Sequence, residues 1–193
     1  MRPFNLKSAI CAASLFLTAN ALAGNHNYSD ASDYSGFKFK KKEALTVSRT
    51  SSLELSMSPE QALPLFTAPG EILWEPGWDP TILSGNGFDQ GTTWLTQNGT
   101  SMTYWHVSKY DKDNNEAIYT LVTPDVKMGT VSIAISANEK GGSEVLVTYN
   151  LTSLGNAGDL LLLSQYSEEQ FPKFIAQWKD WIASSMDKIN SNH

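Results

Sequence analysis

The sequence predicts an α+β domain in which a bent antiparallel β-sheet wraps around a long C-terminal α-helix, with short helices after the first strand. Segments of alternating apolar and polar residues follow one another between positions 91 and 154, separated by short turn sequences. Alternation is typical of strands with one buried face, and Asn-Gly or Gly-Gly turns favour hairpins. An amphipathic stripe near the C-terminus predicts the helix that covers this face.

The first 23 residues are predicted to be a cleavable export signal. Arg2 and Lys7 supply the positive end, and the apolar run 9–17 is too short to span a bilayer. Ala21-Leu22-Ala23 has the small-x-small pattern that signal peptidase cleaves. We therefore expect export to the periplasm or the medium after cleavage following Ala23. The single cysteine, Cys11, lies in this signal, so the mature chain has no disulfide.

The charge balance disfavours a nucleic-acid partner. Loss of the signal removes two positive charges and no negative one, which takes the formal net charge from −6 to −8. A nucleic-acid-binding surface needs the opposite sign. Residues 24–42 are predicted to be a flexible tether, followed by one domain over 43–193. The tether ends in a cluster that either contacts a membrane surface or is simply solvated; it consists of Lys38, Lys40, Lys41 and Lys42.

The domain begins with a strand and a short helix. Leu45 to Leu55 alternates as a strand does. Ser58 is a favourable N-cap, and Pro59 suits the first helical position, so a short helix is expected through about Phe66. Pro69-Gly70 is expected to break the chain.

The segment from Glu71 to Pro80 is too rich in Pro and Gly for a regular helix, yet it carries Trp74 and Trp78. A loop this apolar is expected to pack against the rest of the domain. Five further strands are predicted, at Gly91–Thr96, Met102–Tyr110, Glu116–Thr123, Met128–Ala137 and Glu144–Leu154.

One face of the last two strands is apolar, with Val131, Ile133 and Ile135 on one and Val145 to Leu151 in alternation on the other. The cover for this face is expected at the C-terminus. A short helix is predicted over Ala157 to Leu163, and Ser167 begins a capping box for the long helix. Its stripe comprises Phe171, Phe174, Ile175, Trp178, Trp181, Ile182 and Met186.

Several motifs resemble the SRPBCC superfamily, which includes START domains and polyketide cyclase/dehydrase-like proteins with the helix-grip fold. The resemblance covers about residues 44–190. It rests on the segments 58–62, 65–66, 69–71 and 76–80, on Trp74 and Trp105, and on the segments 147–149 and 154–156. It implies a hydrophobic cavity between the sheet and the C-terminal helix, and members bind, carry or transform different ligands. Export departs from the usual family pattern.

Candidates for chemistry are few. No His, Cys or carboxylate spacing matches a metal site, and neither a metal nor a cofactor is predicted. His106 is expected to face solvent if Trp105 faces the interior, because side chains alternate along a strand. Glu71 and Glu75 are either solvent-facing, or one of them turns inward and acts as a general acid or base. Tyr149 completes the set of catalytic candidates.

The predicted ligand-binding residues are aromatic, and they comprise Trp74, Trp78, Trp94, Trp105, Tyr149, Phe174 and Trp178. Three functions stay open at this point. The protein is a carrier of a small hydrophobic molecule such as a lipid or an aromatic polyketide-like compound, a cyclase or dehydratase acting on such a molecule, or a non-catalytic interaction domain of the cell envelope. No transmembrane segment follows the signal, and no oligomeric state is predicted.

Overall fold

The computed structural model describes residues 28–29 and 41–192. The predicted export signal and Lys38 and Lys40 of the lysine cluster lie outside these residues. Within the predicted tether, strand β1 (Tyr28–Ser29) pairs antiparallel with strand β2 (Lys41–Lys42). The domain that carries the rest of the fold begins at Ala44.

Seven strands form one antiparallel sheet in this domain, in the order β3-β9-β8-β7-β6-β5-β4. Their bounds are Thr46–Leu55 (β3), Thr81–Ser84 (β4), Thr93–Asn98 (β5), Ser101–Asp111 (β6), Glu116–Thr123 (β7), Lys127–Ala137 (β8) and Ser143–Ser153 (β9). Strands β4 to β9 form a meander, and β3 joins its end. The α+β prediction is confirmed, and all the predicted strands are present.

Strand β4 was not among the predicted strands. Its four residues are all exposed, so no buried alternation marks it in the sequence. It is an edge strand, held by pairing with β5, and its register shifts between Ile82 and Ser84. Short, exposed edges of this kind limit unwanted pairing with other chains.

The connection from β3 to β4 crosses the sheet through short helices. Helix α1 (Pro59–Ala62) starts as predicted: the Ser58 backbone N–H donates to Gln61 Oε1 at 3.1 Å. A 3₁₀ turn (Leu63–Phe66) follows, and helix α2 (Ala68–Glu71) comes next. The predicted break at Pro69-Gly70 is wrong. Both residues lie inside the single turn of α2, because a proline near a helix start loses no hydrogen bond there.

Three helices close the chain: α3 (Asn156–Ser164), α4 (Gln170–Ser184) and α5 (Met186–Asn190). The stripe predicted for the long helix is confirmed. Four of its residues are buried, namely Phe171, Ile175, Trp178 and Ile182, and the other three pack partly buried against the core. Helix α4 contacts strand β3 most closely.

The inward face of the sheet is the predicted one. Val131, Ile133 and Ile135 are buried on β8, and Val145, Val147, Tyr149 and Leu151 are buried on β9. Strand β6 has a register shift between Val107 and Lys109, which bends the sheet. Among the described residues, no helix is long and apolar enough to cross a membrane.

Candidate functional site

Residues 68–78 comprise helix α2 and the residues that follow it, and we call them the α2 segment. This segment is fixed at three points. Trp74 Nε1 donates to the carbonyl oxygen of Leu65 at 2.7 Å, and Trp78 Nε1 donates to that of Ala68 at 2.8 Å. Lys188 Nζ donates to the Ile72 carbonyl oxygen at 2.6 Å and so ties the segment to the C-terminal region. These bonds hold the intervening side chains in one place.

Glu71 and Glu75 are the acidic residues of the α2 segment that face inward, and we call them the carboxyl pair. They lie one helical turn apart, and the Glu75 backbone N–H donates to the Glu71 carbonyl oxygen at 2.8 Å. Each residue as a whole is half-buried, and the two carboxyl groups lie close enough together for the Glu75 carboxyl to raise the pKa of Glu71. An inward-turned general acid or base at this position therefore stays a prediction.

Burial raises the pKa of Glu71 well above its ordinary value, and the Glu75 carboxyl raises it further. Burial also raises the pKa of Glu75. Two close acids in an apolar environment cannot both ionise at low cost, so a negative charge on Glu75 disfavours ionisation of Glu71.

Two tyrosines of the sheet lie near the carboxyl pair. Tyr119 on β7, Val131 on β8 and Tyr149 on β9 are direct cross-strand neighbours in one row. Burial raises the pKa of both phenols well above the ordinary value, and the charge of Glu71 contributes in each case. The Glu71 carboxyl therefore lies close enough to both tyrosines for its charge to affect their pKa values. In the row, the two tyrosines flank the smaller Val131.

Three buried donors near these groups have no hydrogen-bond partner among the described residues. They are Trp94 Nε1, Trp178 Nε1 and the Tyr119 hydroxyl. The rings of Trp94 and Tyr119 are in edge-to-face contact at 5.8 Å between centroids. Trp178 packs on Trp74, with 5.6 Å between ring centroids. Native interiors leave few such groups unpaired, and each one calls for an explanation.

The predicted ligand residues fall into two groups of rings in contact. In the first group Trp78 packs on Trp105 at 5.9 Å, and Trp105 stacks on Trp94 at 5.8 Å and an interplanar angle of 3°. The second group joins Trp74, Trp178, Phe174 and Tyr149. Each group thus receives one tryptophan of the α2 segment. Together with Tyr119 we call these rings the aromatic interior.

The remaining catalytic candidate lies elsewhere. His106 is exposed on β6 while Trp105 is half-buried on the inward side, as the alternation of the strand predicts. Tyr119 was missed by the sequence reasoning, although it lies in a correctly predicted strand. Its place in the row with Tyr149 depends on strand register, which the sequence does not specify. Among the described residues, no three His, Cys, Asp or Glu side chains are grouped to hold a metal ion.

An open cleft of about 380 Å³ lies at one end of the sheet, and we call it the sheet-end cleft. It is bounded by the end of β3, the β8–β9 turn and the last turns of α4. Its apolar residues are Leu55, Met57, Ile182, Ala183 and Met186. None of the seven predicted ligand residues lines it.

Comparisons with known proteins show the fold. No protein-family model matches the sequence, and no curated protein matches it. Among solved structures, the chain is similar to truncated norcoclaurine synthase from Thalictrum flavum, with a TM-score of 0.53 and 12% identity over 72% of this chain and 94% of that one. The same enzyme in complex with dopamine and hydroxybenzaldehyde gives a TM-score of 0.50 and 13% identity over 69% and 86%.

A protein from Thermobifida fusca, solved by NMR, gives a TM-score of 0.50 and 14% identity over 75% of this chain and 89% of that one. These neighbours have a helix-grip fold. Identities this low show the fold alone. The chain therefore has the helix-grip fold that the sequence motifs predicted, and a fold by itself does not define a function.

Proposed function

We propose that the protein binds a small, largely apolar molecule between the sheet and the C-terminal helix, with the polar group of that molecule held at the carboxyl pair. One observation carries the proposal. Glu71 and Glu75 are half-buried on a segment that Trp74 and Trp78 anchor to the core, and the charge of Glu71 raises the pKa of the buried Tyr119 and Tyr149. Buried acids without a cation are costly to retain, and such sites are functional candidates.

The aromatic interior suits the apolar body of such a molecule. Its rings offer flat faces and edges, and apolar area removed from water contributes about 25 cal/mol per Å². Trp78 and Trp105 are half-buried, whereas Trp94 is buried, so the first ring group runs from the surface inward.

The unpartnered donors suit the polar group. An unsatisfied buried donor costs roughly 1–3 kcal/mol, which a ligand acceptor would recover. Trp94 Nε1, Trp178 Nε1 and the Tyr119 hydroxyl are such donors. The carboxyl pair adds one acidic proton and one negative charge. The site therefore favours an aromatic molecule that carries a carbonyl oxygen or an ammonium group.

Dopamine and hydroxybenzaldehyde represent these two cases, and both are present in the norcoclaurine synthase complex. Isothermal titration calorimetry of the mature protein with each compound tests the proposal. We expect both to bind. Changing Glu71→Gln and Glu75→Gln together should weaken dopamine binding by about tenfold or more, because the negative charge is lost, and should change aldehyde binding by less than about threefold.

Matched substitutions separate these effects from damage to the fold. Trp178→Phe removes the indole N–H and should weaken aldehyde binding, whereas Trp181→Phe on the same helix should not. Native mass spectrometry of protein purified from its own host should show a small-molecule adduct that denaturation releases. If neither compound binds and no adduct is found, the ligand-binding proposal is wrong.

The carboxyl pair also favours a second function, a cyclase or dehydratase. A pair that shares a proton offers an acid and a base side by side. In a dehydration, the Glu75 carboxylate would take the proton from the carbon beside a carbonyl. The Glu71 acid would give its proton to a hydroxyl group on the next carbon, the β-carbon of the carbonyl compound. The C–O bond breaks, and this hydroxyl leaves as water. The carbon–carbon double bond forms from the electrons of the broken C–H bond.

Loss of water from an aromatic β-hydroxyketone tests this step, because the conjugated product absorbs at longer wavelength. Glu71→Gln and Glu75→Gln should each lower the rate by about a hundredfold. His106→Gln should leave it unchanged, since His106 is exposed on β6. Equal rates in all three variants would remove the enzymatic function and leave the binding function in place.

We further propose that the protein acts outside the cytoplasm. The support is the predicted signal with Ala21-Leu22-Ala23 before the cleavage point. N-terminal sequencing of the protein from its host should begin at Gly24. A chain that retains Met1 and fractionates with cytoplasmic proteins would contradict export.

A further inference from the structure

The sheet-end cleft differs in chemistry from the aromatic interior. Leu55, Met57 and Ile182 are buried and form its apolar floor, and Met186 is partly buried beside them. No aromatic side chain of the described part of the chain lines it. Its volume of about 380 Å³ lies within the range of roughly 300–1,000 Å³ that is usual for small-molecule sites. Flexible aliphatic and methionine side chains adapt well to a flexible aliphatic chain.

The rim of the cleft is charged. Glu54, Lys140 and Lys179 line it, so the rim has one more positive charge than negative ones. The chain as a whole has a formal net charge of −6, which makes a positive rim unusual for this protein. Lys140 Nζ contacts the Glu54 carboxylate at 2.9 Å and thereby balances it.

Lys179 is the remaining charged residue of the rim. It makes no ion pair or hydrogen bond with any other described residue, although it lies close enough to Glu54 to help lower the pKa of that carboxyl. Its position in the last part of α4 places the ammonium group above the apolar floor. An anion held there would be attracted by Lys179, while the floor covers an attached chain.

The walls of the cleft are well defined. Asn138 Oδ1 accepts hydrogen bonds from the backbone N–H groups of Lys140 and Gly142, both at 3.0 Å, which fixes the β8–β9 turn. Gly142 lies so close to β3 that a Cβ atom there would be 2.1 Å from the Leu55 carbonyl oxygen.

We propose that the sheet-end cleft is a second binding site, distinct from the aromatic interior, for an amphipathic anion that consists of an aliphatic chain and one carboxylate. The chain lies along Leu55, Met57, Ile182 and Met186, and the carboxylate pairs with Lys179 at the rim. The inference does not depend on the function of the carboxyl pair, because the two sites share no lining residue.

Titration with dodecanoate below its critical micelle concentration tests the site. The mature protein with ¹³C-methyl-labelled methionine provides the readout. The Met57 and Met186 methyl signals should shift, because these residues line the cleft. Met102 and Met128 are exposed and do not line it, so their signals should stay in place and serve as controls within the same sample.

Substitutions at the cleft carry the second part of the test. Ala183 is exposed and lines the cleft, so Ala183→Phe should fold and should abolish binding. Ala176→Phe is the matched control, because Ala176 is exposed on the same helix outside the cleft. Lys179→Gln should weaken dodecanoate about fivefold. Lys173→Gln, which removes a lysine that pairs with Glu169, should not.

Three results would overturn the inference. They are the absence of dodecanoate binding, unchanged binding in Ala183→Phe, and equal binding of dodecyltrimethylammonium, which has the same chain and the opposite charge. Loss of binding in Trp178→Phe with full binding in Ala183→Phe would place dodecanoate in the aromatic interior. That outcome would support the proposed function and contradict a second site, so the two failures are distinguishable.

Discussion

The aromatic interior and the sheet-end cleft lie along the same helix, but their side chains are of different kinds. Trp178 and Ile182 are one turn apart on α4; the first packs on aromatic rings and the second lines the cleft. Aromatic side chains have few rotatable bonds and define a rigid surface, whereas methionine is flexible. One helix can thus support a rigid site with a carboxyl pair and an adaptable site with lysines.

The largest expected difference between the two regions is in the free energy of unfolding that is lost when a side chain is truncated, because the two regions differ in packing density. Trp178→Ala should lower the free energy of unfolding by about 3–5 kcal/mol, because the ring contacts Phe66, Trp74 and Phe174. Met186→Ala should lower it by less than about 2 kcal/mol, because Met186 is only partly buried at an open cleft. Urea unfolding followed by circular dichroism measures both. Equal losses would show that the cleft is packed as tightly as the interior.

The next largest loss of stability is expected from a substitution where the β8–β9 turn lies close to β3. In Gly142→Ala the new Cβ would meet the Leu55 carbonyl oxygen, so the turn must move away from β3. We expect a loss of about 1–3 kcal/mol in the free energy of unfolding, as for other overpacked sites. The Met57 and Met186 methyl signals should change, and the indole N–H signals of Trp94 and Trp178 should not. Changes confined to the indole signals would contradict the separation of the two regions.

The carboxyl pair should make the stability of the protein depend on pH. Burial raises the pKa of Glu71 and Glu75 above the ordinary 4.5, so above pH 4.5 the folded state retains a proton that the unfolded state has lost. Stability should therefore fall as pH rises through the raised pKa values, by up to about 1.4 kcal/mol per pH unit for each proton. Urea unfolding at pH 5 and pH 8 measures this slope.

Glu71→Gln should flatten that slope and gain stability relative to the wild type at the higher pH, because glutamine needs no proton to remain uncharged. Glu60→Gln is the control. The Ser58 hydroxyl lowers the pKa of the Glu60 carboxyl below the ordinary 4.5. Glu60→Gln should therefore leave the slope between pH 5 and pH 8 unchanged. A wild-type slope that persists in Glu71→Gln would mean that another group carries the pH dependence.

The fold could be predicted largely from local patterns. Alternation placed the strands, and the spacing of Phe171, Ile175, Trp178 and Ile182 placed the long helix and its buried face. Strand β4 escaped because an exposed edge strand has no buried face to mark it. The Pro69-Gly70 pair misled because both residues are tolerated in a first helical turn. Prediction thus failed where burial does not leave a periodic signal.

The candidate site could be predicted only in part. The acids at 71 and 75 stood out as carboxylates in an apolar loop, but their burial depends on Trp74 and Trp78 anchoring the α2 segment to Leu65 and Ala68. Tyr119 joins Tyr149 through the register of three strands. The sheet-end cleft brings together β3, a turn and α4, which are far apart in sequence. Such juxtapositions are properties of the tertiary structure and have no local signature.

The smallest effect tests whether the α2 segment needs its own helix cap. The Thr67 hydroxyl accepts a hydrogen bond from the Gly70 N–H at 3.1 Å and donates to the Pro64 carbonyl oxygen at 2.7 Å. Thr67→Ala should lower the free energy of unfolding by about 1 kcal/mol, and Thr67→Ser should restore most of it. Because the cap orients the turn that carries Glu71, Thr67→Ala should also weaken dopamine binding while dodecanoate still shifts the Met57 and Met186 signals. Weakening of both ligands would mean that the two regions respond as one unit, whereas an effect on dopamine alone makes the α2 segment the element that organises the interior site.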